Sequence, residues 1–413
     1  MGRDPVTASY RRTTSACYVG ITVSAILNNT AAILFVPLMD RYGLRYVDLG
    51  ILVGVNFAIQ LVIALVCSGF VDAAGYRRLL LPASSAALGG LALFALSPLL
   101  FPGREFWGFL LASVVFAVAG GLYEILLSPI IDATPSRNKG AAMSLMHSMF
   151  SWGHVAFVAL TTLAILAFGA DHWQWFVLFW ALAPLSCLIL SWHAPLPATK
   201  PAQQTGERFK TMLSPFGIVA LLAIFFGGGA ELVMAQWSST YFVQALGLPK
   251  ATGDLLGLCG FAAMMGLGRM LYGIFGAKIP VRATLIAGGL LAAGCYITVA
   301  LSSSGAAGLI ACVLCGLAVS QFWPGTLIAA SARFPLAGAW LFGYLAAAGI
   351  IGASFGPWLT GVIVERGVAA GRVASWLNIP HEEAALRAGL LLGAVLSLGV
   401  AVCHFLLKTK KNN

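Results

Sequence analysis

The sequence predicts an all-α polytopic membrane protein whose twelve transmembrane helices form two pseudo-symmetric six-helix bundles. Composition carries the first part of that reading: of 413 residues, 60% are hydrophobic and only 9% are charged, with a mean hydropathy of +0.91. A soluble domain mixes its apolar residues with about 25% charge. Segment length carries the second part, because a helix needs roughly 20 apolar residues to cross a hydrocarbon core. The chain divides into twelve such runs. Duplication carries the third, since landmarks of the first six runs recur 195 to 207 residues later.

In chain order the predicted spans are 16–39, 47–70, 79–99, 106–131, 140–168, 173–193, 214–245, 252–276, 282–302, 306–331, 337–364 and 386–407. The first follows residues 1–15, which are polar and basic and lack a short apolar core before a small-residue cleavage site, so no cleaved signal peptide is expected. The second opens after Tyr42-Gly43-Leu44, the third after the joint at 69–78, and the fourth after Arg104. Pro135 and Gly140-Ala141-Ala142 mark the start of the fifth. The one long polar stretch, about His193 to Met212, divides the sixth from the seventh and contains Pro195, Pro197, Pro201, Gln203, Gln204, Thr205, Gly206 and Glu207. Leu246-Gly247-Leu248 precedes the eighth, Lys278 and Arg282 flank the start of the ninth, Pro335 with Ala337-Gly338-Ala339 opens the eleventh, and Arg366 and Arg372 lie before the twelfth. These runs occupy nearly all of the chain, which leaves no room for a soluble catalytic domain. None alternates apolar and polar residues over about ten positions, as the strands of a membrane β-barrel do.

A net charge of +10 raises nucleic acid as a partner, and its distribution argues against that. With the N-terminus inside, the inner segments hold Arg3, Arg11, Arg12, Arg77, Arg78, Arg137, Lys139, Lys200, Arg208, Lys210, Arg269, Lys278, Arg282, Arg333, Lys408, Lys410 and Lys411. Seven of the 24 basic residues fall outside: Arg41, Arg45, Arg104, Lys250, Arg366, Arg372 and Arg387. That asymmetry follows the positive-inside rule and predicts a plasma-membrane protein with both termini in the cytoplasm. The eight cysteines fall in or beside apolar runs and read as small buried hydrophobes. Cys312 and Cys315 spell C-x-x-C inside an apolar helix with no second ligand pair, so no metal site is expected.

The long polar stretch sets the expected domains: an N-terminal bundle over 1–193, a linker over 194–213 and a C-terminal bundle over 214–413. Gly121 with Ser128-Pro129 and Pro135 corresponds to Gly316 with Trp323-Pro324 and Pro335, and Leu49-Gly50 corresponds to Leu256-Gly257. Six spans per half is how many secondary transporters are built, with the substrate site at the midplane between repeats.

The joint after the second span reads Gly69-Phe-Val-Asp72-Ala-Ala-Gly75-Tyr-Arg77-Arg78. It resembles the G-x-x-x-D-x-x-G-x-R-R/K signature of the major facilitator superfamily, one residue shorter between Gly and Asp. The resemblance covers the whole chain and implies the major facilitator fold. Gly120-Gly-Leu-Tyr-Glu124-Ile-Leu-Leu-Ser128-Pro129 and Met143-Ser-Leu-Met-His147-Ser-Met-Phe150-Ser-Trp-Gly153 resemble the fourth and fifth helices of the fucose/galactose/glucose:proton symporter family. Gly229-Ala-Glu231 through Trp237 and Tyr241 is similar to the seventh helix of that group, and Gln321-Phe-Trp-Pro324 to its tenth. Fucose-type members carry an acid shortly after an Asn-Asn pair in helix one; here Asn28-Asn29 is followed by Thr30-Ala31-Ala32, and that acid is missing.

Two carboxylates sit in the middle of apolar runs, where an ionised acid costs several kcal/mol and marks a functional site by default. Glu124 shares a helical face with Ser128 and Asp132, and its run contains no Lys or Arg. An isolated acid in low dielectric stays neutral until water or a cation reaches it, which suits a proton carrier. The alternative is a permanently protonated acid hydrogen-bonded across helices. Glu231 follows Gly227-Gly228-Gly229 and precedes Gln236, Trp237, Ser238, Thr240 and Tyr241, the mixture of rings and polar groups that binds sugars. It is read as a coupling or substrate residue, against the alternative of a pair with Arg269, the one basic residue well inside an apolar span.

Ser144, His147, Ser151 and His154 form one polar stripe on the fifth helix, expected to face the cavity. His147 and Ser151 are assigned to the substrate site, while His154 reads as an interhelical hydrogen-bonding residue. Ser24 with Asn28, and Asn56 with Gln60, are spaced by four; Asn28, Asn29, Asn56 and Gln60 are assigned to the cavity, with interhelical bonding as the alternative. Gln321 and Trp323 join them because Pro324 frees a backbone carbonyl there. Gly69, Asp72, Gly75, Arg77 and Arg78 read as a conformational latch, the acid favouring the positive end of a helix and the arginines reaching headgroups or a neighbouring helix end.

The reading is a secondary active transporter: a proton-coupled symporter of a small polar solute, a monosaccharide in the first instance, working by alternating access. Alternatives are a proton-coupled efflux antiporter for drugs or metabolites and a non-transporting membrane receptor. No catalytic residue and no cofactor beyond a coupling proton is expected. The expected partners are the solute and the lipid bilayer, with the protein a monomer.

Overall fold

The computed structural model describes residues 10–200, 204–249 and 252–407. Arg3, Lys250, Lys408, Lys410 and Lys411 of the charge count, and Pro201 and Gln203 of the polar stretch, lie outside the described residues. The regular structure of the described residues is helical throughout, and twelve helices are long and apolar enough to cross a membrane. These are α1 Arg11–Ile33, α2 Asp48–Cys67, α3 Tyr76–Leu100, α4 Glu105–Ala133, α5 Lys139–Phe168, α6 Ala170–Trp192, α7 Pro215–Gln244, α8 Leu255–Phe275, α9 Val281–Leu301, α10 Gly305–Arg333, α11 Ala339–Glu365 and α12 His381–Leu406.

The breaks have local causes. The apolar run 16–39 is not one helix: α1 ends at Ile33 and a second helix covers Phe35–Tyr42. Pro37 has no N–H to give the Ile33 carbonyl, and the Leu34 N–H turns to the Ala31 carbonyl instead. Within α10, regular helix stops at Val319 and resumes at Phe322. Pro324 is the cause, because it cannot donate to the carbonyl of Ser320 four residues earlier.

Residues Met1–Gln204 with Leu336–Tyr344 form one compact unit, and Thr205–Pro335 with Leu345–Asn413 form a second. The joint before α11 and that helix's first turn are thus grouped with the first six spans rather than with the second half. In the first unit α1 packs on α4, α5 and α6, while α4 packs on α2 and α3. In the second, α7 packs on α10, α11 and α12, while α10 packs on α8 and α9. Each of these five pairs in the first unit has its counterpart six helices later. The α7–α11 contact needs glycine, since a methyl at Gly352 would overlap the Phe225 carbonyl.

The duplication reaches single side chains. Arg77, at the start of α3, donates to the carbonyls of Ser191, Trp192 and Ala194 at the end of α6. Arg282, at the start of α9, donates to those of His404 and Phe405 at the end of α12. Last-turn carbonyls have no intrahelical donor and form the negative end of the helix, so a guanidinium there satisfies both needs. Large apolar side chains such as Leu99, Leu166 and Trp175 stand exposed along the spans, as hydrocarbon surroundings require. All eight cysteines are free thiols.

Candidate functional site

In the first unit, α1 and α2 build a closed amide set. The Asn28 Oδ1 accepts from Asn56 Nδ2 at 3.1 Å and from Gln60 Nε2 at 2.8 Å, and Gln60 Nε2 also donates to Asn56 Oδ1 at 3.0 Å. Spacing of four puts Asn56 and Gln60 on one face of α2. Asn56 and Gln60 are buried and Asn28 is half-buried. Helix α4 comes close to this set because Gly120 and Gly121 lack side chains: a Cβ at Gly121 would lie 3.0 Å from Gln60 Cα. Glu124 follows one turn later on α4 and is half-buried. A turn beyond it, Ser128 Oγ and His147 Nε2 share a hydrogen bond of 3.2 Å.

The polar stripe of α5 turns into the unit rather than to open space. Ser144 and Ser151 are fully buried and His147 is 4% exposed. Helix α5 packs against α1, and His147 and Ser151, expected to face the cavity, are buried in the first unit. His154 ends the stripe, with its Nδ1 3.3 Å from Asn29 Nδ2, which also donates to the Ala25 carbonyl. Asn29 is therefore tied to its own helix and to α5.

In the second unit, Glu231 on α7 and Arg269 on α8 form a buried ion pair, Oε2 to Nη2 at 3.2 Å, with residue exposures of 8% and 2%. The Arg269 Nε donates to the Ser320 carbonyl at 2.9 Å, the acceptor that Pro324 leaves without a helical donor. Gln321, buried beside that break, points its Nε2 at the Gly268 carbonyl at 3.5 Å. Glu231, Arg269 and the α10 break form one assembly. The alternative weighed for Glu231, pairing with Arg269, is the arrangement found. Arg269 carries the same signal as the acids, a charge deep in an apolar run, and the structure sets it against Glu231.

The other α7 and α10 assignments part from expectation. Gln236 is exposed. Trp237 gives its Nε1–H to the Pro357 carbonyl at 3.1 Å, and the Tyr241 hydroxyl donates to the Val299 carbonyl at 2.6 Å from a fully buried position. Trp323 is half-buried with its ring against Gly349. Trp237 and Tyr241 brace the second unit through those bonds, and the Trp323 ring packs within it. The polar residues of α7 are spread round the helix, so the sequence offers no phase from which to tell its inward from its outward side.

The turn between α2 and α3 has a defined geometry. Gly75 sits at φ +81°, a conformation that side chains disfavour, and it leads directly into α3. Asp72 is buried, and its Oδ1 accepts the Ala339 N–H at 3.0 Å, capping α11 from outside that helix. Gly69 lies in the turn, Arg77 clamps the end of α6, and Arg78 is exposed. The latch acid thus serves α11 rather than α3. Asp132 is buried and pairs with Lys200 at 3.8 Å. Lys200 enters the sequence reading only as one of the inner basic residues and Thr199 not at all, and nothing in the sequence links either to a partner.

Comparisons with known proteins fit this architecture. The solved structure of the proton:xylose symporter XylE bound to 6-bromo-6-deoxy-D-glucose matches with a TM-score of 0.76 at 14% identity, covering 95% of each chain. FucP in the outward conformation matches at 0.77 and 15%, covering 97% of this chain and 100% of that one. The human organic anion transporter MFSD10 matches at 0.70 and 15%, covering 97% and 99%. At such identities the likeness shows the fold alone. No curated protein matches by sequence. The sequence profile of the Major Facilitator Superfamily matches residues 17–337, so the chain belongs to that superfamily, a transporter family and not an enzyme family.

Proposed function

We propose that the protein is a proton-coupled symporter that brings a small polar solute, a monosaccharide in the leading assignment, into the cytoplasm by alternating access. The observation that carries this reading is the neutral amide set Asn28–Asn56–Gln60 one helical turn from an intramembrane acid, Glu124. Amide groups both donate and accept, which matches the paired donor and acceptor character of sugar hydroxyls. Glu124 supplies the titrating group, since a carboxyl in that environment changes its solvation when water reaches it from either side. Glu231 with Arg269 supplies a second polar locus whose hydrogen bonds a hydroxyl can replace. The xylose and fucose proton symporters among the matched structures support the same class of solute and coupling ion.

Energetically the coupling is modest and sufficient. One proton moved down one pH unit releases about 1.4 kcal/mol, enough for about tenfold accumulation of a neutral solute. Uptake therefore rises as the outside pH falls below the inside pH. The excess of basic residues in segments assigned to the inner side supports cytoplasmic termini and a plasma-membrane location.

The substrate class is tested by thermal unfolding of the purified protein with a panel of monosaccharides and organic cations. A true ligand at 100 times its dissociation constant adds about 2.7 kcal/mol of stability. Stabilisation by one or a few sugars supports the proposal. Stabilisation by cations with no sugar effect overturns it in favour of efflux.

A further inference from the structure

We propose that Thr199 and Lys200, in the chain that leaves the first six spans, are positioning residues for the transport switch: they hold Asp72 and the joint before α11 in register. Residues 194–200 have no regular structure, and Pro195 and Pro197 keep them from becoming helical. Their course is fixed by side chains. Upstream, Thr13 of α1 donates to the Pro195 carbonyl at 2.6 Å and Arg77 of α3 donates to that of Ala194. Downstream, the Thr199 hydroxyl donates to the Asp72 carbonyl at 2.9 Å. Lys200 Nζ donates to the Ala337 carbonyl at 2.8 Å and lies 3.8 Å from Asp132 Oδ2 at the end of α4. The segment is a strap fastened at both ends, and every fastening lies in the first unit.

What the strap holds is the contact between Asp72 Oδ1 and the Ala339 N–H. The first N–H groups of a helix have no partner within it, so α11 depends on an outside acceptor at this point. Thr199 fixes the backbone of that acceptor. Lys200 fixes the carbonyl two residues before that donor. Lys200 also joins this point to α4, the helix on which Glu124 sits two turns before Asp132. An exposed ion pair alone contributes little. Here the lysine side chain is two-thirds covered and the aspartate side chain is 10% exposed, and the two act with the carbonyl bond.

The test is hydrogen–deuterium exchange of the full-length protein in lipid nanodiscs, comparing wild type with Thr199→Val, Lys200→Ala and Lys200→Arg. Loss of a hydrogen bond to a charged group predicts about tenfold faster exchange in peptides covering 337–345 for Lys200→Ala. Thr199→Val should speed the same peptides, Lys200→Arg should restore protection, and peptides from α12 should not change. Wild-type exchange at 337–345 in Lys200→Ala, or equal acceleration in every span, overturns the proposal. The measurement needs no solute, so its outcome is independent of the symport reading.

Discussion

Replacing Glu231 by Gln leaves Arg269 as a buried charge with no counter-charge from α7, and arginine, unlike a carboxyl, cannot become neutral. At the observed 3.2 Å and an effective dielectric near 20, the lost attraction is about 5 kcal/mol. Removing one member of a buried pair costs about 3–5 kcal/mol by experience with soluble proteins. For a unit of about 200 residues that corresponds to a fall of roughly 6–20 °C in Tm. Arg269→Met should cost less, because the orphaned Glu231 can take up a proton, although the Ser320 carbonyl loses its donor as well. The double variant Glu231→Gln/Arg269→Met holds no uncompensated charge and should be at least about 2 kcal/mol more stable than Glu231→Gln alone. Thermal unfolding of the four proteins in one detergent supplies the cycle. Additivity of the two single effects within about 0.5 kcal/mol would refute the pairing as the organising contact of the second unit.

Asn28→Leu removes an acceptor shared by two amide N–H groups and should cost about 1–3 kcal/mol of stability. If the amide set holds the solute, it also raises the uptake KM severalfold, and an unchanged KM would remove Asn28 from the site. Tyr241→Phe loses the bond to the Val299 carbonyl, about 1 kcal/mol, and should lower Tm by a few degrees while KM stays within twofold. A large KM change for Tyr241→Phe would return that residue to the substrate.

Span positions were legible because each rests on a local sum. The expected 140–168 and 282–302 differ by a residue from Lys139–Phe168 and Val281–Leu301. The first span, expected over 16–39, begins earlier, at Arg11, and ends at Ile33, because hydropathy ignores the missing N–H of Pro37 and passes over the polar first turns. Polar residues at mid-span are legible as well: Asn28, Asn56, Gln60, Glu231 and Arg269 stand out by type and depth, and Asn28 and Glu231 by the family resemblance too. Their partners were not: the bonds from Asn28 to Asn56 and Gln60 cross 28 and 32 residues of chain and arise only when α1 meets α2. Tyr241 and Trp237 look like sugar-stacking residues by type, but a helix whose polar residues are spread round it gives no facing direction, and both donate to backbone carbonyls of their own unit. The contacts of Thr199 and Lys200 have no sequence signature, because a single donor aimed at a remote carbonyl leaves no pattern.

The most direct test of proton coupling is accumulation of the identified sugar in proteoliposomes with an imposed pH gradient, acid outside, for wild type beside Glu124→Gln. Wild type should concentrate the sugar about tenfold per pH unit, while Glu124→Gln should equilibrate or exchange it without concentrating it. Undiminished accumulation by Glu124→Gln would contradict the assignment of the proton to that residue.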